Sequence, residues 1–163
     1  MGIAYDSSKG EVFVPNYFED MVSVISDATN TVIGTIAVGS ESGGTAYDPA
    51  QGEVFGTDAN SSTVSVISDS LNAVVATVSV GSGPAGIAYD PGRGEVFVAN
   101  SYGSTVSVIS DSTDAVVATI AVGDGPFGVA YDSSKGGIFV TNYSGNTTSV
   151  ISDAADIVVA TVP

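Results

Sequence analysis

One 42-residue pattern is written four times along the 163-residue chain, without an insertion or a deletion. Its most regular marker is the tripeptide AYD, which begins at Ala4, Ala46, Ala88 and Ala130. A fixed period in this range is typical of solenoids, propellers and similar arrays. The repeat therefore restricts the fold to stacked copies of one small structural unit.

Each unit contains four short runs rich in Val, Ile, Phe and Tyr, bounded by Gly, Asn, Asp, Ser and Pro. In the third unit these runs are GIAYD, EVFVAN, TVSVIS and AVVATIAV. Four strands of about six residues, joined by short hairpins, have the size of one propeller blade. VFV and AVVA are apolar on both strand faces, as expected for a sheet between two neighbours. The sequence predicts an all-β β-propeller built from four 42-residue, four-stranded antiparallel blades.

We expect a single propeller domain or arc over residues 1–163, with blades at 2–43, 44–85, 86–127 and 128–163. Strands A to D, counted from the centre outward, place the B–C and D–A loops on one side, the loop face. The A–B and C–D hairpins then lie on the opposite side, the hairpin face.

Four repeats leave three states of closure open. The chain closes alone, two chains pair into a ring of twice as many blades, or the chain is an arc of a longer protein. An open arc exposes the apolar flanks of its first and last blades. We therefore expect a homo-oligomer or a filament that assembles through the open blade ends.

The charge and the missing residue types exclude several classes of function. The chain has 18 acidic and three basic residues, and its net charge of −15 argues against nucleic acid and anionic membrane surfaces as partners. No apolar run reaches the ~18 residues of a membrane helix, so we expect no membrane insertion. Without His and Cys, the usual catalytic triads and histidine metal sites are excluded. We expect no enzyme, metal or cofactor; a carboxylate-based hydrolase or a quinoprotein-like enzyme is the weaker alternative.

Charged residues recur at fixed positions of the predicted hairpin face. One ring of acids is Asp6, Asp48, Asp90 and Asp132, and a second is Asp27, Asp69, Asp111 and Asp153. All three basic residues share one position: Lys9, Arg93 and Lys135. Aspartates at the ends of hairpins usually cap local backbone amides, which is the interpretation we favour. Calcium binding by these rings is the alternative.

The loop face is where the repeats differ, with B–C loops that read NYFED, DANSS, NSYGS and NYSGN. Aromatic side chains beside Asn and Gly on a rigid frame suit the binding of a partner protein or a sugar. The other interpretation is that the tyrosines fold over the blade edge. The predicted ligand- or partner-binding residues are Asn16, Tyr17, Phe18, Asn100, Tyr102, Phe127, Asn142 and Tyr143. Candidate glycosylation sites, each in an Asn-x-Ser/Thr sequence, are Asn60, Asn142 and Asn146.

The segment IFVTN at 138–142, followed by TTSVISD and IVVATV, resembles the YVTN family of β-propeller repeats. The match covers essentially the whole chain, although the second unit departs from it with VFGTD. WD40 repeats are disfavoured because the chain has neither His nor Trp. YVTN repeats are common in archaeal and bacterial cell-surface and S-layer-type proteins, so the resemblance implies a propeller fold and a surface location. It does not fix one activity.

These observations together predict a non-enzymatic extracellular propeller. Its expected role is cell-surface structure, adhesion or self-assembly through loop-face and blade-end contacts, with surface proteins or glycans as further partners. The alternative is a carbohydrate- or ligand-binding module.

Overall fold

The computed structural model describes residues 2–163, which form β-strands in four antiparallel sheets of four strands each. Within every sheet the strands are hydrogen-bonded in chain order, so each sheet is one repeat of the sequence. This confirms the predicted all-β propeller of four four-stranded blades. No helix within these residues has the length and apolar character that a membrane crossing requires.

The strands of the first half of the chain follow the repeat closely. Blade 1 contains β1 (Ala4–Asp6), β2 (Glu11–Asn16), β3 (Met21–Ser26) and β4 (Thr31–Ala37). Blade 2 contains β5 (Ser42–Asp48), β6 (Glu53–Asp58), β7 (Thr63–Ser68) and β8 (Ala73–Ser79).

The second half repeats this arrangement. Blade 3 contains β9 (Pro84–Asp90), β10 (Glu95–Asn100), β11 (Thr105–Ser110) and β12 (Ala115–Ala121). Blade 4 contains β13 (Pro126–Asp132), β14 (Gly137–Asn142), β15 (Thr147–Ser152) and β16 (Ile157–Val162). The innermost strands β5, β9 and β13 begin shortly before the blade limits suggested by the repeat.

Three apolar clusters hold consecutive blades together. Each blade has a phenylalanine face, which in blade 1 consists of Phe13, Val22, Val24 and Ile36. Its opposite side is the isoleucine face, which in blade 2 contains Val54 and Ile67. The phenylalanine face of blades 1, 2 and 3 packs in turn against the isoleucine face of the next blade. Each fully buried side chain contributes about 1.5–3 kcal/mol, so these junctions carry most of the stability.

Glycine permits the innermost strands to approach one another at the centre. A Cβ atom at Gly44 would lie 2.7 Å from the carbonyl oxygen of Ala85, and one at Gly86 would collide with the carbonyl oxygen of Phe127. Because any side chain at these positions would push the neighbouring blade outward, the glycines set the curvature of the arc.

The two outer faces of the arc remain uncovered. Phe139 in blade 4 is 38% exposed, whereas its counterparts Phe13, Phe55 and Phe97 are fully buried. Val162, at the end of the same face, is 50% exposed. At the other end, the isoleucine face of blade 1 is half-exposed at Val12, Val14 and Ile25. The structure is therefore an open arc, in which blades 1 and 4 each keep one apolar face in solvent.

The repeat offers a matched test of this burial. Phe97→Ala should lower the free energy of unfolding by about 3–5 kcal/mol, because it empties a filled junction. Phe139→Ala removes the same atoms at the same repeat position and should cost less than half as much. Urea unfolding, at a dilution that keeps the chain monomeric, measures both. Equal losses for the two variants would contradict the open arc.

Candidate functional site

The inner strands and the loop face line an open central cavity of about 600 Å³. Its wall is mainly backbone and small residues of β5, β9 and β13, among them Gly44, Pro84 and Gly128. Four aromatic side chains border it on the loop face: Tyr17, Tyr102, Phe127 and Tyr143. The cavity thus combines an apolar floor with an aromatic rim, an arrangement that suits a ligand with flat or apolar surfaces.

Backbone hydrogen bonds hold the rim tyrosines in position. The amide of Tyr102 donates to the carbonyl of Ser82 at 3.1 Å, and that of Tyr143 donates to Gly125 at 2.8 Å. Each bond ties a B–C loop to the D–A connection that precedes its blade. Gly83 adopts a φ of +66°, and a Cβ atom there would overlap the ring of Tyr102. The ring therefore lies directly over the glycine backbone.

The predicted aromatic residues separate into two groups. Tyr102 and Tyr143 are more than 80% exposed and border the cavity together with Phe127. Phe18 is also exposed but lies outside the cavity lining, with its ring edge-on to Tyr17 at 5.0 Å. The hydroxyl of Tyr17 donates to the Glu41 carboxylate at 2.7 Å, and this hydrogen bond raises the pKa of Tyr17.

The three predicted asparagines make side-chain hydrogen bonds within their own blades. Asn100 is fully buried, and its side-chain amide donates to the hydroxyls of Thr105 and Ser107 at 3.0 and 2.9 Å. Asn142 has the same arrangement in blade 4. Asn16 is half-buried and donates to Ser23 at 2.8 Å. Asn100 and Asn142, the second of which is also a predicted glycosylation position, are thus both buried and hydrogen-bonded within their own blades.

The other two predicted glycosylation positions remain accessible. Asn60 and Asn146 are exposed in the B–C loops of blades 2 and 4. Asp58 replaces the buried asparagine in blade 2, and there the hydroxyls of Thr63 and Ser65 donate to its carboxylate. Burial raises the pKa of Asp58.

On the hairpin face, the carboxylates of both acidic rings contact the backbone of the hairpin turns. In the first ring a carboxylate oxygen accepts a hydrogen bond from the amide two residues ahead, as Asp48 does from Ala50 at 2.7 Å. In the second ring each carboxylate lies against a glycine of the A–B turn, such as Asp27 against Gly10. Among residues 2–163 no three acidic side chains form a group that could hold a metal ion. These contacts support the turn-capping interpretation.

The tyrosines of the second, third and fourth AYD motifs connect neighbouring blades on the hairpin face, a role that sequence reasoning missed. Tyr47 in blade 2 donates to Asp69 of its own blade at 3.2 Å and lies beside Asp6 of blade 1. Tyr89 repeats this contact with Asp111, at 2.9 Å, and lies beside Asp48. A salt bridge of 2.9 Å from Lys9 to Asp69 also joins blades 1 and 2. In every repeat this tyrosine has the same spacing to the aspartates of both acidic rings, and that fixed spacing is the sequence feature that could have predicted the contact.

Carboxylates crowd together where blades 2 and 3 meet on this face. Glu53 is half-buried, and its Oε2 atom has no hydrogen-bond partner. Burial, together with the nearby carboxylates of Asp114, Asp48, Asp111 and Asp69, raises the pKa of Glu53 to about 7. At the corresponding position in blade 3, Glu95 instead receives two hydrogen bonds from Arg93, at 2.7 and 3.1 Å.

Comparison with known proteins finds no matching family model and no matching curated protein sequence. Among solved structures, the chain is similar to Kuenenia stuttgartiensis hydrazine synthase, with a TM-score of 0.92 and 22% sequence identity. The match covers 99% of this chain and 48% of that chain, so this chain spans about half of its length. At this identity the likeness shows the fold alone.

The crowding at Glu53 predicts a specific dependence of stability on pH. Because the folded-state pKa is raised above the ordinary value of 4.5, the protonated form stabilises the fold, and that stability is lost as the pH rises through about 7. Glu53→Gln should therefore stabilise the chain by about 1–3 kcal/mol at pH 8 and have little effect below pH ~4.5.

Denaturant unfolding between pH 4 and pH 8 measures this difference. Glu19→Gln removes the same charge from an exposed loop-face position and is the matched control. Equal stabilisation by both variants at pH 8 would assign the effect to net charge instead of to the junction.

Proposed function

We propose that this chain is a non-enzymatic extracellular propeller that serves cell-surface structure or adhesion by self-assembly through its blade ends. The observation that carries the proposal is the pair of uncovered apolar faces at the two ends of the arc. Phe139 and Val162 are exposed in blade 4 at positions that are buried in every preceding blade. Soluble proteins seldom leave such contiguous apolar surface in water unless it is an interaction site.

The distribution of chemical groups favours an assembly role over catalysis. The chain contains no His or Cys, and the carboxylates of the two acidic rings are taken up by hairpin contacts. Hydrazine synthase is named as an enzyme, but a likeness of fold does not transfer an activity. A carboxylate-based hydrolase is the weaker alternative, and turnover of a glycoside substrate by the purified chain would support it.

The surface location rests on different support. The YVTN-like repeats are typical of archaeal and bacterial surface proteins, and the exposed Asn60 and Asn146 fit glycan attachment. Strong net negative charge limits non-specific association between the loop and hairpin faces of different molecules. The largely apolar end faces are then the favoured sites of contact.

Sedimentation of the purified chain over a range of concentrations tests the assembly role. We expect reversible association into a species of at least twice the chain mass. Phe139→Asp should weaken this association at least tenfold, because it places a charge on the apolar end face.

The matched control for this experiment is Leu71→Asp, which changes a 69% exposed side chain on the C–D hairpin of blade 2. It should associate like the parent chain. A parent chain that stays monomeric at every concentration would overturn the proposal.

A second candidate function is the binding of a carbohydrate in the central cavity. The specific observation is the rim of Tyr102, Tyr143 and Phe127 around a cavity of about 600 Å³. Aromatic rings stack on the apolar faces of sugar rings, and tyrosine side chains lose little conformational entropy on binding.

Glycan-array binding followed by calorimetric titration of a retained glycan measures this activity. Tyr102→Ala and Tyr143→Ala should each weaken binding about tenfold, since each removes one face of the rim. Phe18→Ala removes an equally exposed loop-face ring that lies outside the cavity lining and should leave binding unchanged. If no glycan is retained, or if all three variants bind equally, the cavity is not a sugar site.

A further inference from the structure

The internal junctions of the arc show how one blade recognises the next. At the junction of blades 1 and 2, Phe13 is covered by the isoleucine face that contains Val54 and Ile67. Lys9 of blade 1 bonds to Asp69 of blade 2 at 2.9 Å, and Tyr47 of blade 2 lies beside Asp6 of blade 1. An apolar contact, an ion pair and a tyrosine–aspartate contact thus accompany one another across this junction.

Blade 4 has the phenylalanine, lysine and aspartate that blade 1 presents to blade 2, but no blade of the arc covers them. Phe139, Lys135 and Asp132 occupy the repeat positions of Phe13, Lys9 and Asp6. Lys135 and Phe139 border a hollow of about 350 Å³ on the open face. Asp132 is partly exposed, whereas Asp6, Asp48 and Asp90 are fully buried under a neighbouring blade.

Blade 1 has the complementary groups, which are the ones that blade 2 uses to cover blade 1 at the internal junction. Val12, Ile25 and Asp27 occupy the repeat positions of Val54, Ile67 and Asp69, and Tyr5 occupies that of Tyr47. The Tyr5 hydroxyl donates to Asp27 at 2.8 Å, as Tyr47 does to Asp69. Tyr5 is 52% exposed, because no blade precedes it in the arc.

We propose that blade 4 of one copy binds blade 1 of a second copy head to tail, with Lys135 paired to Asp27, Asp132 beside Tyr5, and Phe139 covered by Val12 and Ile25. This proposal rests on the proposed self-assembly and names its partner and its polarity. The second copy is the favoured occupant because its blade 1 supplies the same kinds of group that cover Phe13 within the chain. Two identical arcs joined in this way at both ends form a closed two-fold ring.

The charges make the contact directional. Two blade 4 faces brought together would oppose Lys135 to Lys135 and leave both Asp132 carboxylates without a tyrosine. Two blade 1 faces would likewise oppose Asp27 to Asp27. Like charges at an interface disfavour the wrong pairing more than opposite charges strengthen the right one, so head-to-tail association is selected.

Carbodiimide cross-linking tests the polarity directly, since this reagent joins a lysine amine to a carboxylate in direct contact. An equal mixture of ¹⁴N- and ¹⁵N-labelled chains should give mixed-isotope peptides in which Lys135 is linked to Asp27. The linkage of Lys9 to Asp69 should appear only between peptides of the same isotope and is the internal positive control. Mixed-isotope links from Lys135 to Asp132 or Asp153 would show like ends meeting and would overturn the proposal.

A charge exchange gives an independent measurement. Lys135→Glu and Asp27→Lys should each weaken self-association at least tenfold, because each places like charges at both contacts of the ring. An equimolar mixture of the two variants restores opposite charges at both contacts and should recover association to within about threefold of the parent chain. Association of each single variant at parental strength, or failure of the mixture to recover when both variants are folded, would overturn the pairing.

The outcomes separate this inference from the proposed function. A parent chain that is monomeric at every concentration would rule out both the self-assembly role and the head-to-tail contact. The open faces would then be covered by further blades of a longer protein. A parent chain that associates without the Lys135–Asp27 link keeps the assembly role and removes only the head-to-tail contact. Links between Lys135 and Asp27 that occur only in same-isotope peptides, with no mixed-isotope form, would show closure within one chain and would also overturn the proposal.

Discussion

The burial of one blade's phenylalanine face under the next blade's isoleucine face is the interaction on which the rest of the structure depends. Both faces of each sheet are apolar, so a single blade has no side that water solvates well. Stacking removes this surface from water, and stability grows with the number of junctions, as in other repeat proteins. The same condition explains why the end blades are unsatisfied: each of them has only one neighbour.

Electrostatics opposes this stacking along the hairpin face. The raised pKa values of Glu53, Asp114 and Asp156 all have burial as their largest cause, and each group also lies close to other carboxylates. These groups favour the fold when they are protonated, so their contribution is lost as the pH rises. Asp6 and Asp132 act in the opposite direction. Burial raises the pKa of Asp6, but hydrogen bonds from its turn and from Tyr47 together outweigh burial, and turn hydrogen bonds lower the pKa of Asp132, so the contribution of both groups is lost as the pH falls. Acid therefore relieves the repulsion at the junctions while it weakens the turns.

The repeat alone was sufficient to predict the fold, because period, strand length and apolar runs all agree on a four-stranded blade. The binding residues were harder to assign, since Asn100 and Tyr102 lie two positions apart in one loop and share the same polar surroundings in the sequence. Only the structure shows that Asn100 is directed into the blade and Tyr102 into solvent. The junction tyrosines were missed for a related reason: a tyrosine repeated in a strand resembles core, and its partners lie in other strands and turns.

The open ends and the central cavity are linked, because the end blades also line the cavity. The cavity is lined by residues from all four blades, including the end blades 1 and 4 that each lack one neighbour. In the proposed ring, a second copy that covers the end faces would also add a second set of inner strands and rim aromatics around the same central space. A ligand that contacts both sets binds the assembled ring more tightly than the single arc, and by thermodynamic linkage it strengthens assembly by the same factor. In the proposed ring the two candidate functions are for this reason compatible, and the proposed junction would also determine the shape of the candidate binding site.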